Sequence, residues 1–317
     1  MRIKYLFLSA MAIVLSVAGM SCSKENPLDE DECLREDFKT TFKVNLSVNT
    51  SLFPYTEITV SDSISSTRGT GEWHLKYYVA AYKELSGDAY PMTMAVSDSP
   101  SVEMSLPLGK YVMVAWADYV NEGDLRSRYF HTDDFKDILL KEKFAYNGND
   151  LQKIGFTGFM EVTVSYRTPE VNVLLKSAMG RYEIDATDKP DYKVGKIVVS
   201  YPEGLPSSFN ALSGRISHKW NGVQFNAENT ALNGESIFDN VFSEETETIV
   251  PIKIEVYDVN GILRARRNRI DIPMVREGIT TVNAKIYSIL EEGEGVGTGG
   301  AGIDDRYDDT IEINFHH

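Results

Sequence analysis

Phe42-Lys43-Val44-Asn45-Leu46-Ser47-Val48 alternates apolar with polar side chains without a break, the period of a strand with one face on a core and the other in water. Trp73 to Tyr82, Val102 to Leu106, Tyr111 to Ala117, Phe159 to Val164, Val171 to Leu175, Gly180 to Ala186, Lys196 to Tyr201, Thr248 to Tyr257 and Thr280 to Ile289 behave similarly, rich in β-branched and aromatic residues. The breaks carry turn chemistry: Ser86-Gly87-Asp88, Pro107-Leu108-Gly109, Asn147-Gly148-Asn149, Asn221-Gly222 and Asn260-Gly261. One segment predicts a short helix. Thr132 caps it, Asp133 and Asp134 sit at the positive end of its dipole, and Phe135, Ile138 and Leu139 follow at helical spacing. So many strands and so little helix exclude an α/β enzyme and predict an all-β fold. Successive strands without crossover helices make antiparallel sheets, which over about 250 residues pack as two β-sandwiches in series. The expected layout is an N-terminal sandwich over residues 37–168 and a C-terminal sandwich over 169–290.

The two ends read differently from the body. Arg2 and Lys4 precede a largely apolar run from Tyr5 to Val17, and small residues lead to Gly19-Met20-Ser21-Cys22. That is the order of a secretory signal, too short to stay in a bilayer as a spanning helix, so residues 1–21 are set apart from the fold. Ser23 to Glu32 is polar and acidic with no apolar period, and residues 22–36 read as a tether. At the other end Glu291 to Gly302 is a Gly-rich linker, and residues 291–317 finish with Thr310-Ile311-Glu312-Ile313-Asn314-Phe315, an alternating strand with Ile311, Ile313 and Phe315 on one face. Gly295, Gly297 and Gly300 match G-x-G-x-x-G, but no helix pattern follows, so the match carries no dinucleotide reading.

Composition narrows the function. Among 317 residues, 47 acidic against 32 basic give a net charge of -15, a field that repels phosphate backbones and argues against a nucleic-acid partner. Two Cys and five His leave little material for a disulfide scaffold or a zinc site. Asp304-Asp305-Arg306-Tyr307-Asp308-Asp309 is acidic enough to attract calcium but lacks the ligand order of an EF-hand loop, so a solvated linker is expected and no metal or other cofactor is assigned. No G-x-S-x-G, H-E-x-x-H, P-loop or C-x-x-C occurs, and nothing ties His74, His131 or His218 to a nucleophile, so no catalytic residue is assigned. Trp73, Tyr77, Tyr78, Tyr82, Trp116 and Tyr119 could form a sugar platform or fill a sandwich core, and their place inside strand patterns favours the core.

Gly19-Met20-Ser21-Cys22 resembles the lipobox of bacterial lipoproteins, which implies a thioether-linked lipid on Cys22. The acidic stretch after it resembles the surface-export signal of Bacteroidetes lipoproteins. Ser63 to Gly69, Tyr77 to Gly87, Leu106 to Ala117, Phe156-Thr157-Gly158 and Val171 to Lys176 together resemble the fimbrial subunit superfamily of Bacteroidales, of FimA and FimB type. That resemblance implies an outer-membrane lipoprotein of two tandem transthyretin-like β-sandwich domains, non-enzymatic, that joins other fimbrial subunits, its own copies or different ones, by exchanging a strand. It also implies proteolysis after an Arg in the loop following the first strand, for which Arg68 is the candidate and Arg35 the second. Thr310, Ile311, Ile313 and Phe315 would supply a donor strand, or fold back on their own domain. A subunit at a fimbrial tip would face a host or glycan ligand. The rival reading is a surface glycan-binding lipoprotein of a polysaccharide-utilisation system.

Overall fold

The computed structural model describes residues 39–49, 73–83, 90–121, 123–167, 170–227, 231–288 and 311–316. In chain order the strands of the first half are β1 (Lys39–Val48), β2 (Trp73–Tyr82), β3 (Thr93–Ser97), β4 (Ser101–Pro107), β5 (Gly109–Asn121), β6 (Phe130–His131), β7 (Ile138–Leu140), β8 (Gly155–Val164) and β9 (Val171–Ser177). Those of the second are β10 (Met179–Ala186), β11 (Val194–Ser200), β12 (Leu205–Pro206), β13 (Ser208–Asn210), β14 (Arg215–Ile216), β15 (Lys219–Trp220), β16 (Gln224–Asn226), β17 (Ile237–Phe242), β18 (Thr248–Asp258), β19 (Leu263–Met274), β20 (Ile279–Ala284) and β21 (Ile311–His316). The protein is all-β, with its sheets in a sandwich-like arrangement.

The largest sheet has seven strands in the order β3-β2-β5-β8-β9-β1-β4. Laid flat, its outermost strands would stand about 29 Å apart at the usual inter-strand spacing. Yet β3 and β4 are consecutive and joined by Asp98, Ser99 and Pro100, a link that reaches about 14 Å at most. The sheet must therefore fold over on itself, and it turns at β8 and β9, which pair only through Phe156↔Ser177 and Thr157↔Lys176. The arm β3-β2-β5-β8 is held by long antiparallel registers, Trp73↔Asn121 to Tyr82↔Val112 and Gly109↔Val164 to Asp118↔Gly155. Tyr78, Tyr82 and Trp116 from this arm and Phe42, Val44 and Leu46 from β1 are buried in one continuous core. Gly155 is required by that packing: a Cβ there would stand 2.1 Å from the indole of Trp116.

The remaining strands form sheets β17-β10-β20-β21, β16-β11-β18-β19, β12-β15 and β14-β13-β7-β6. Asn260-Gly261 makes the β18–β19 hairpin turn, with Gly261 at φ 78. Strand β9 lies beyond residue 168 in sequence but hydrogen-bonds with β1 and β8, and β7 pairs with β13 through Ser208↔Leu139 and Phe209↔Ile138. Both halves of the chain thus share sheets around the 168/169 junction. An aromatic run joins them as well: Trp116 to Phe130 at 5.3 Å, Phe130 to Phe242 at 5.7 Å and Phe242 to Phe209 at 5.7 Å between ring centroids.

The expected helix at Thr132 to Leu139 is not formed. Asp134 instead accepts the Lys136 N–H through its side chain at 2.9 Å, a local turn that competes with helix. Ile138 and Leu140 then point into the core from β7, because a strand partner on each side is available there. Helical structure among the described residues is limited to a 3-10 turn at Lys143–Ala145 and a turn at 231–232.

Candidate strand-exchange interface

Strand β1 is the seam of the seven-stranded sheet. It pairs antiparallel with β4 from Lys39↔Pro107 to Asn45↔Ser101, and parallel with β9 from Val44↔Val171 to Val48↔Leu175. β4 is at the sheet's end, and among the described residues β1 is its one ladder partner. Phe42, Val44 and Leu46 reach the core between Val102, Met104 and Leu106 of β4 and Val171, Val173 and Leu175 of β9, all buried. On the outer face Asn45 Nδ2 donates to Glu170 Oε2 at 3.0 Å and to Asn172 Oδ1 at 3.2 Å. Taking β1 away would leave a slot with apolar walls and two rows of unpaired backbone groups, the kind of site that binds another strand.

The terminal strand β21 lies at the end of its sheet, antiparallel to β20 from Ala284↔Ile311 to Ile279↔His316. On its other side β20 pairs parallel with β10. The chain leaving β20 is fixed before the linker starts: Asp188 Oδ1 accepts Ile286 N–H at 2.9 Å, its Oδ2 accepts Tyr287 N–H at 3.1 Å, and Ser288 Oγ donates to Oδ2 at 2.6 Å. Residues 289–310 join that anchored point to β21, a length that spans roughly 70 Å if extended.

A third feature lies deeper. Asp239 on β17 and Lys153 before β8 are buried together, with Nζ 2.5 Å from Oδ1. Tyr146 and Tyr201 hydroxyls both donate to Asp239 Oδ2, at 2.6 and 2.5 Å, and the Tyr182 hydroxyl stands 2.9 Å from that of Tyr201. Lys153 also donates to Tyr146 Oη at 2.6 Å and to the Asn147 carbonyl at 2.9 Å. Burial first, and the Asp239 charge second, hold the three hydroxyls well above their usual pKa. Nothing in the sequence announces this cluster, because its members are scattered and only the fold brings them together. Asp118 on β5 is also fully buried: desolvation pushes its carboxyl up to about 7, against the opposing pull of the Trp116 N–H at 2.7 Å.

Residues 36–316 match a family of unknown function, DUF6562. The chain belongs to the DUF6562 family. No curated protein matches it. Among solved structures it is similar to the tip fimbrial protein Mfa3 from Porphyromonas gingivalis, with C-terminal truncation, at 10% identity and a TM-score of 0.45, covering 88% of this chain and 99% of that one. It is also similar to the fimbrial anchor protein Mfa2 from Porphyromonas gingivalis, at 12% identity and a TM-score of 0.43, covering 78% of this chain and 90% of that one.

Of the residues singled out from sequence in this DUF6562 chain, Cys22, Arg35, Arg68 and Thr310 lie outside the described residues, as do the acidic hexapeptide and the Gly-rich linker. Ile311, Ile313 and Phe315 are in β21. Tyr77, Tyr78, Tyr82 and Trp116 are buried, as the core reading requires, while Trp73 and Tyr119 are half-buried. The Trp73 ring stacks on Tyr129 at 6.1 Å and lies under the Arg128 guanidinium at 5.7 Å, so it offers no bare sugar platform. His74 and His218 meet surface carboxylates, Asp98 at 3.5 Å and Asp137 at 4.0 Å, and His131 is exposed. Among the described residues no three His, Cys, Asp or Glu side chains converge as metal ligands would.

Proposed function

We propose that this chain is a non-enzymatic, lipid-anchored subunit of a surface fimbria that joins its neighbours by exchanging β-strands. The observation that carries this reading is the position of β1: it is the seam between β4 and β9, and residues 50–72, which contain Arg68, connect it to the rest. Cleavage after Arg68 would leave β1 held only by its ladders and its three core side chains. The sequence of β21 supports the exchange. Ile311-Glu312-Ile313-Asn314-Phe315-His316 repeats the apolar and polar order of Phe42-Lys43-Val44-Asn45-Leu46-Ser47, including the asparagine that meets Glu170 and Asn172 in β1. Paired with β20 in the single chain, β21 is kept off other partners until a neighbour's vacated slot offers two ladders in place of one. The lipid on Cys22 would hold the subunit at the outer membrane, and the acidic tether would keep the folded part away from an anionic surface.

The test is assembly in solution. The chain is cut with an Arg-specific protease, with Arg68→Ala as the control, and a labelled peptide of residues 303–317 is offered to the product. Uptake of the peptide with displacement of β1, and formation of higher species by the cut chain alone, are expected. Strand exchange fails as an account if cut chain neither binds the peptide nor associates. Separately, Cys22→Ala should move the protein from the membrane fraction to the soluble one.

A further inference from the structure

The cluster around Asp239 takes no part in strand exchange, and its geometry is that of a reaction centre closed to water. Lys153 and Asp239 side chains are 5% and 0% exposed, and Nζ stands 2.5 Å from Oδ1, in direct contact. The two carboxyl oxygens are treated differently. Oδ1 faces the lysine nitrogen, while Oδ2 receives two hydroxyls, from Tyr146 and Tyr201, with Tyr182 behind the second. Two donors converging on one carboxyl oxygen is how an oxyanion is stabilised. Tyr146 Oη accepts from the nitrogen and donates to Oδ2, at 2.6 Å each, and so holds the two groups against one another. In a site without water the neutral amine and acid, related to the ion pair by one proton transfer, avoid the cost of two buried charges.

We propose that Lys153 and Asp239 condense into an intramolecular amide that ties the segment before β8 to β17. One proton passes from the ammonium to Oδ1, giving amine and carboxylic acid. The nitrogen lone pair attacks Cγ, and the C=O electrons move onto Oδ2, held by the Tyr146 and Tyr201 hydroxyls. A second proton moves from nitrogen directly to Oδ1, its other hydrogen-bond partner. The Cγ–Oδ1 bond breaks, water leaves carrying Oδ1 and both protons, and C=O reforms at Oδ2. One proton stays on the amide nitrogen, so ammonium plus carboxylate becomes amide plus water with no other reactant. Exclusion of water from the site then protects the product from hydrolysis. The bond would join covalently two parts of the chain otherwise held by sheet pairing and by the Trp116, Phe130 and Phe242 contacts, and this inference stands whether or not strand exchange does.

The full chain, denatured and digested with trypsin, should give a branched peptide joining the Lys153 and Asp239 segments, lighter than the two free peptides together by one water and uncut after Lys153. Lys153→Arg keeps the positive charge and should lose the branched peptide. Tyr146→Phe lacks one of the two donors to Oδ2, so the bond should form about 100-fold more slowly, and fresh protein should yield mostly free peptides. Recovery from the wild-type chain of an unbranched Lys153 peptide, cut after that residue, overturns the proposal and leaves an ordinary ion pair. A branched peptide that persists in Lys153→Arg overturns the assignment to this lysine.

Discussion

The first and last strands of the described chain make opposite bargains with their sheets. β1 has ten residues, a ladder on each side and three buried apolar side chains, and β4 depends on it. β21 has six residues and a single ladder, on an edge strand's terms. An inserted strand is strongly held and leaves a damaged sheet behind. An edge strand peels away and leaves β20 still paired with β10. The two ends of one chain are thus held on different terms, β1 between two ladders and β21 on one.

The sharpest way to break the comparison is to damage β1 at its centre. Val44→Asp puts an unpaired charge at a position 0% exposed and should cost more than about 4 kcal/mol, seen as loss of the cooperative urea transition at room temperature. A mild effect there would mean that β1 is no seam. The next largest effect separates the strands' contributions from the pH dependence of the core between them. Asp118 is held at about 7 by burial, against about 3.9 for an unfolded aspartate. The folded state therefore keeps a proton that the unfolded state has lost between those values, so stability falls as pH rises from about 4 to 7, and the full penalty of up to about 4 kcal/mol applies above 7. Asp118→Asn should raise the melting temperature at pH 8, with the gain shrinking toward pH 4. A gain independent of pH would rule out this cause. Deleting residues 303–317 should cost only roughly 1–2 kcal/mol, since a single ladder is offset by the ordering of a short strand. A larger loss in urea melts would make β21 an integral strand. The smallest effect sharpens the outer face of β1: Asn45→Ala removes two exposed hydrogen bonds and should cost about 0.5 kcal/mol, but should weaken β1 relative to an added 303–317 peptide.

Much of this architecture was legible in the order of residues. The alternation in Phe42 to Val48 and the Asn260-Gly261 turn are local signals, and both appear where they were expected. Which strand lies beside which is set by contacts between distant residues, and there the sequence was silent. Nor did the sequence show that Val171–Ser177, just after the expected 168/169 boundary, pairs with β1 and β8. Phe135, Ile138 and Leu139 fitted a helical face, but a three-residue strand with partners on both sides outweighed a weak helix bounded by Asp134's own turn. On the candidate interface, the alternating terminal strand was visible in sequence and its partner β20 was not. Lys153 and Asp239 had no spacing to give them away, because tyrosines from three separate segments complete the site.

The parallel register of Val44 with Val171 also bears on the order of folding. β1 is made before any of its partners, and its pairing with β9 closes the longest loop in the seven-stranded sheet, so the entropic cost of that contact is met late. Meanwhile the β2–β5 and β5–β8 ladders join residues no further apart in sequence than Gly109 and Val164, 55 positions, against 127 between Val44 and Val171, and form earlier. Each chain therefore passes through an interval in which the slot between β4 and β9 is open and its own first strand competes for it with any strand nearby. Pulse-labelling hydrogen exchange during refolding would show this as late protection of β4 and β9 amides together with those of β1. Protection of β4 in step with β5 would exclude it.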